Sequence, residues 1–191
     1  MSLDLTYSTA TALAFLGTLA ALGAGHLPGD IAVQSNADAT GKAMPGNDRL
    51  AAGAHPWTGW GHCARHTLTY LACQAVAVFL VLLVVPVPLP GAIAALAFSG
   101  ATHAVIDRRW LVARLLAAKG CTSWKDMTFW ADQSLHWAAM FLAALIAART
   151  HTFHKAGLVA GFGVLLIAYA LFAEHRHARG VAAGPAPTDR L

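Results

Sequence analysis

The residues in this sequence that can do chemistry fall into four pairs of one spacing. His26 and Asp30 stand in GHLPGD, His62 and His66 in GHCARH, His103 and Asp107 in THAVID, and Asp132 and His136 in ADQSLH. In every pair, two groups able to ligate a metal lie four residues apart. Residues i and i+4 are neighbours on one face of a helix, about 5–6 Å apart at Cβ. Each pair therefore predicts a two-ligand edge on its own helix. Imidazole and carboxylate together suit zinc, manganese or iron better than calcium or magnesium. Eight ligands exceed what one tetrahedral zinc can use. Two divalent transition-metal ions about 3.5–4 Å apart would use them, with positions left for water.

Charge balance points the same way. Asp30, Asp107 and Asp132 would be costly inside a membrane unless paired, and no lysine stands among the pairs. The expected balancing charge is a bound cation. A metal-free polar or proton-relay network, and coincidence, remain the alternatives. Asp107, Asp132 and His136 are the expected catalytic residues, with the general base left open among the carboxylates and histidines. Arg65, Arg108 and Arg109 flank the pairs and could hold an anionic phosphate, or act as ordinary positive anchors at the membrane face. Gln34 and Gln133 read as ligand supports or substrate contacts, or as interfacial residues. His55, His151, His154, His175 and His177 fall in loops or tail without such pairing.

The elements that must position these pairs are apolar helices. Of 191 residues, 57% are hydrophobic and 12% charged, where a soluble domain carries about 25% charged residues. A spanning helix needs about 20 apolar residues, and five stretches qualify, at about 6–26, 62–85, 91–119, 129–148 and 156–174. The expected fold is all-α, a polytopic membrane helix bundle forming one domain over 1–175, with a disordered cytoplasmic tail at 176–191. The third stretch is too long for the hydrocarbon alone, so its last turns should emerge as an amphipathic extension ending at Gly120. Pro86, Pro88 and Pro90 predict a tight turn before it. Ser123 with Asp126 predicts a capping box opening the fourth helix. The first stretch lacks the positive flank of a signal peptide, Asp4 being its only preceding charge, and reads as a retained helix.

Counting Lys and Arg by connection puts ten on one side against two, Arg149 and Lys155, on the other, with Arg65 at a helix end. The excess predicts N-out, C-in orientation. All six tryptophans fall near the basic side. The four pairs sit at the end of the first helix, the start of the second, the end of the third and the start of the fourth. In an up-down bundle those ends share one side, here the cytoplasmic one. Spacing and charge count agree independently. Net charge is +4 with a pI near 9.3, but no basic stripe or DNA-binding spacing accompanies it, so no nucleic-acid partner is expected. Cys63, Cys73 and Cys121 form no C-x-x-C and read as buried thiols. Gly157-x-x-x-Gly161 predicts a packing face within the bundle.

With these residues in view, the chain resembles a family of bacterial integral-membrane proteins defined as a domain of unknown function. The motifs that carry the likeness are His26, Asp30 and Gln34; His62 and His66; His103 and Asp107; and Asp132, Gln133 and His136, within about residues 15–148. Pro28 inside the first motif and the long loop after it are departures. A looser similarity is to bacterial inner-membrane proteins described as metal-dependent hydrolases. These resemblances imply an inner-membrane location, a metal and hydrolysis. The leading expectation is a metal-dependent hydrolase with a cytoplasm-facing site, acting on a lipid-linked or phosphate-bearing small molecule. The other classes are a metal or proton transporter, which needs ligands at several depths, and a membrane scaffold or regulatory protein.

Overall fold

The computed structural model describes residues 2–121 and 126–183, with side chains from residue 8 onward. Its order is α1 (Ser2–Leu27), a π-helical turn (Pro28–Ala32), α2 (Asn36–Gly41), α3 (Asn47–Ala51), α4 (Trp60–Leu82), α5 (Leu89–Asp107), α6 (Trp110–Ala118), α7 (Met127–Arg149) and α8 (Phe153–Ala182). The fold is all-α, with no strand among the described residues. Four segments are long and apolar enough to cross a membrane: Ser8–Ala32, Trp60–Leu82, Leu89–Asp107 and Phe153–Ala182. The remaining expected span corresponds to α7, whose first half carries Asp132, Gln133 and His136. Those polar residues lower its mean hydropathy below that of the other four.

Helix α5 sits at the centre, packed against α7, α8 and α4, while α1 packs on α4 and α7. Its buried face is made of Gly91, Ala92, Ala95, Ser99, Gly100 and Ala101. Small side chains let backbones approach closely, which is how helices associate where lipid offers no hydrophobic drive. Leu22, Val78, Ala95, Met140 and Ala147 fill the apolar core beside it. Large apolar residues such as Leu83, Val84 and Leu165 point outward, as lipid-facing positions would.

Local chemistry explains where the elements depart from the sequence pattern. The α-helix stops at Leu27, but Pro28 does not end helical winding. The chain widens into a π turn in which the Val33 N–H bonds to the Pro28 carbonyl at 3.0 Å. Proline supplies no N–H of its own, and a wider turn absorbs that loss. The third stretch is two helices and not one. It breaks at Arg108 and Arg109, and Arg109 takes the left-handed conformation with φ of +62°. Gly120 closes the second piece, α6, with φ of +65°. Its N–H bonds to the Ala117 carbonyl and that of Cys121 to Leu116, both at 3.1 Å, a Schellman arrangement that needs glycine's freedom.

Pro88 precedes α5 and Pro90 lies in its first turn, so the proline-rich turn stands where it was expected. Ser123 lies outside the described residues; Asp126 precedes α7 without a side-chain cap bond. Helix α8 continues past Glu174 to Ala182, so the first turns of the expected tail are helical and His175 and His177 lie on a helix. Residues 184–191 lie outside the described residues. Gly157 and Gly161 face open space, and it is Gly163 that packs on Ala101. The small-residue face thus points away from the bundle. The three cysteines are free, and only Cys63 is fully buried.

Candidate metal centre

Four elements deliver ligands to one buried point. The π turn brings Asp30, α4 brings His66, and α5 brings His103 and Asp107; all four are buried, with ligand atoms within 4.8 Å of one another. Asp132 and His136 of α7 form a second such group, again with Asp30. The widened turn at Pro28 is what carries Asp30 inward, and π turns recur at functional sites for this reason. His66 Nε2 lies 3.1 Å from Asp30 Oδ1 and 3.1 Å from Asp107 Oδ2. His103 Nε2 lies 3.0 Å from Asp107 Oδ2 and 3.1 Å from His66 Nε2. His136 Nε2 lies 3.5 Å from Asp132 Oδ2 and 3.8 Å from Asp107 Oδ1.

These contacts exceed what the protons present can bridge. One ring nitrogen carries at most one hydrogen, yet His66 Nε2 lies 3.1 Å from two carboxylate oxygens and from the His103 Nε2, whose role follows its tautomer. A cation among these atoms would satisfy the lone pairs that the available N–H groups leave over. Ligand atoms about 2.0–2.1 Å from a tetrahedral ion stand ~3.3 Å apart, close to the spacing seen here. Asp107 Oδ2 and His136 Nε2 are buried and make no hydrogen bond of acceptable geometry. The residues fit a metal ion, and the group could hold one.

Part of the balancing charge is nevertheless a lysine, contrary to the expectation of a cation alone. Lys42 follows α2 and is almost wholly buried. Its Nζ sits 2.9 Å from Asp107 Oδ1 and 3.6 Å from Asp30 Oδ1. With the Gln34 amide turned to present its oxygen, that oxygen also accepts from Lys42 Nζ at 2.8 Å. Lys42 has no helical spacing to any ligand, so nothing in the motif pattern marks it.

The i, i+4 rule holds for two of the four pairs. His103 with Asp107 and Asp132 with His136 enter the cluster together. The other two pairs split. Past the π turn, His26 no longer shares a face with Asp30. His26 Nε2 donates to Gln133 Oε1 at 2.9 Å, and Gln133 Nε2 donates to Asp30 Oδ2 at 3.0 Å. His26 thus supports Asp30 through an amide, outside both ligand groups.

His62 also stands apart, because α2 crosses in front of it. Its Nδ1 meets Asp38 Oδ1 at 2.8 Å, and Arg65 Nη2 donates to the same oxygen at 2.7 Å. Bonds first from His62, then from Ser35 and Arg65, hold the Asp38 carboxyl well below its usual range, at about 2. Arg65 is thereby committed to a surface cluster.

Arg108 neither anchors at the membrane face nor waits for phosphate. It is fully buried, and its guanidinium donates to Glu174 through Nε at 2.6 Å and Nη2 at 3.2 Å. Nη1 reaches the carbonyls of Lys42 and Thr58, and Nη2 that of Pro56. Trp60 Nε1 donates to Glu174 at 2.7 Å. All five donors are used. Arg108 itself keeps helical backbone angles, φ −67° and ψ −11°, and the path from α5 to α6 turns at Arg109. Gly59 stands beside it with φ of +93°, where a Cβ would strike the Gly41 carbonyl and lie 2.9 Å from Arg108 Nη1.

Glu174 is the single glutamate of the sequence and ends an apolar run. An ionisable residue in such a place is the signal that could have found it. Arg109, by contrast, is exposed at the rim of a cavity of about 300 Å³ that also touches Gln34, Lys42, Asp107, Phe129 and Asp132. No family model, curated protein or solved structure matches the chain.

The polar stripe extends beyond the ligands. Tyr70 stacks on His103 at 3.6 Å between ring centroids. Gln74 Nε2 donates to Tyr70 Oη at 2.7 Å, and Ser99 Oγ donates to Gln74 Oε1 at 2.8 Å. These residues continue the i, i+4 series from His66 on α4 and from His103 on α5. They then meet the apolar core around Val78 and Ala95.

Proposed function

We propose that the protein is a metal-dependent hydrolase of the membrane, with its site at the cytoplasmic face of a five-helix N-out, C-in bundle in which α7 is the remaining span. Its substrate is lipid-linked or phosphate-bearing. The observation that carries this reading is Asp30, which belongs to both ligand groups and with His66, His103, Asp107, Asp132 and His136 would hold the metal. Zinc, manganese and iron suit the donor set. Such ions, when bound, supply Lewis acidity and lower the pKa of water.

The chain's own residues do the rest. Asp107 anchors the centre between three histidines and Lys42. Asp132 is the least buried of the three carboxylates and lines the cavity. Its role in this reading is to take a proton from water entering there, with His136 Nε2 3.5 Å from its Oδ2. Gln133 holds Asp30 in position from α7. Burial of the cluster excludes bulk water from every side except the cavity.

The test is elemental analysis of the detergent-purified chain by inductively coupled plasma mass spectrometry, beside an Asp107→Ala/His136→Ala variant. One or two equivalents of transition metal, lost in the variant, are expected. A folded wild type that stays metal-free after supplementation refutes the proposal.

A transporter reading draws on the Tyr70–Gln74–Ser99 chain leading inward from His103. That chain stops against apolar packing, whereas a conduit needs polar groups onward. Metal uptake into proteoliposomes would reverse this ranking. A scaffold role would be favoured if cluster variants left cellular function intact and the protein held no metal.

A further inference from the structure

Lys42 is held in a way that leaves its ammonium free to change partners. Its backbone is fixed twice: its N–H bonds to the Asp38 carbonyl at 3.0 Å, and its carbonyl accepts from Arg108 Nη1 at 2.9 Å. The four-carbon stem beyond that anchor is flexible, and its charge is a compact point. At present the ammonium neutralises Asp107 and Asp30, two of the carboxylates that would ligate a metal. A divalent ion seated between those carboxylates would repel Lys42 and weaken its attraction to them. The space open to it is the cavity of about 300 Å³ that Lys42 itself lines.

Asp30, Asp107 and Asp132 line that cavity beside Lys42 and Arg109, so it suits an anion once a metal neutralises the carboxylates. Arg109 stands at its rim, with Nη2 only 3.5 Å from the Ala39 carbonyl and no carboxylate partner among the described residues. Its left-handed backbone, with φ of +62°, stands at the turn between α5 and α6. Ile31 and Phe129, both about half exposed at 54% and 47%, form apolar edges of the same opening. A lysine, an arginine and a metal centre around one cavity make a site for a phosphate group.

We propose that Lys42 is an anion-binding residue, displaced from Asp107 and Asp30 when metal binds and then pairing, with Arg109, with a phosphate monoester in this cavity. The proposal rests on the metal reading above and specifies its substrate class. Metal and phosphate binding are then thermodynamically coupled, each strengthening the other by the same factor.

The experiment titrates the full-length purified protein with Mn²⁺, and separately Zn²⁺, with and without inorganic phosphate. In the wild type, phosphate should tighten metal binding by about tenfold, within the usual range of such coupling. Lys42→Gln should bind metal at least as tightly as wild type in the absence of phosphate, because a competing cation is gone, and should lose the phosphate effect. Lys42→Arg should keep part of the effect, and Arg109→Gln should weaken it without altering binding of metal alone. Repeating the titration in phosphatidylcholine membranes with and without phosphatidic acid separates a lipid headgroup from a soluble ester: the response will come from the lipid, from inorganic phosphate, or from both.

A wild type that binds metal but responds to neither source overturns this proposal alone. So does a Lys42→Gln variant that keeps the phosphate effect, or one that is folded by circular dichroism yet has lost metal. A wild type that binds neither metal overturns the metal reading and this inference together.

Discussion

The Lys42 ammonium and the Asp107 carboxylate meet at 2.9 Å, with side chains only 5% and 2% exposed. One comes from the connection after α2 and the other from the last residue of α5. The next residue along, Arg108, binds the Lys42 carbonyl while its charge is met by Glu174. Residues 107 to 109 therefore have three destinations: the buried His/Asp cluster, a buried ion pair with α8, and the cavity rim. The break between α5 and α6 falls within these three residues, at the left-handed Arg109.

Breaking the Arg108–Glu174 pair should be expensive. Glu174→Ala leaves a buried guanidinium without its countercharge, a change that costs about 3–5 kcal/mol. Thermal unfolding in detergent should show a large loss. The double variant Arg108→Met/Glu174→Leu should be more stable than Glu174→Ala, since it leaves no orphaned charge; if the two are equal, the pair is not the source of the loss.

The two histidines of α4 should behave differently despite sharing one motif. His66→Ala removes a ligand atom from the cluster and should greatly weaken Mn²⁺ or Zn²⁺ binding. His62→Ala alters the Asp38–Arg65 surface cluster and the packing on Gly41 and should leave metal affinity within about twofold, well short of the 10–100-fold typical even of ligand supports. Equal losses would place His62 in the centre.

Gln133→Leu should weaken metal binding by about 10–100-fold, because groups that orient ligands matter nearly as much as ligands do. The variant frees Asp30 Oδ2 and leaves His26 Nε2 without its acceptor. His26→Ala should reproduce only part of the effect, the Gln133–Asp30 bond remaining. Metal titration of both variants, compared in one buffer, decides the order.

Asp38 predicts an acid-sensitive attachment of α2. Its carboxyl is lowered to about 2 in the fold, against about 3.9 unfolded. Its contribution is thus fully present above the unfolded value and disappears as pH falls through about 2. The stability difference between wild type and Asp38→Asn should be constant above about pH 5 and shrink between about pH 4 and pH 2. A difference that grows on acidification would contradict the assignment.

Gly59→Ala should destabilise the loop that wraps Arg108. A left-handed backbone costs an L-residue about 1–2 kcal/mol, and the added methyl group meets backbone carbonyls and the guanidinium. Melting temperature provides the measure, with Gly53→Ala as a control at another positive φ but with open space around it.

Hydrophobic length and i, i+4 spacing, both local properties, made the helices and most of the ligand set legible from sequence. Of the eight ligands expected, Asp30, His66, His103 and Asp107 form one group and Asp132 and His136 a second that shares Asp30, while His26 and His62 lie outside both. Helical geometry alone relates residues four apart, so it needs no knowledge of neighbours. It failed where something outside the helix intervened. Pro28 widened the turn between His26 and Asp30, and α2 captured His62 through Asp38.

What only the tertiary structure decided was how the charges are balanced. Lys42 and Asp107 are 65 residues apart in sequence, and Arg108 and Glu174 are 66 apart. No period connects them. Burial forces each charge to find a partner, but which partner depends on where a loop folds back, and that is settled by the packing of the whole bundle.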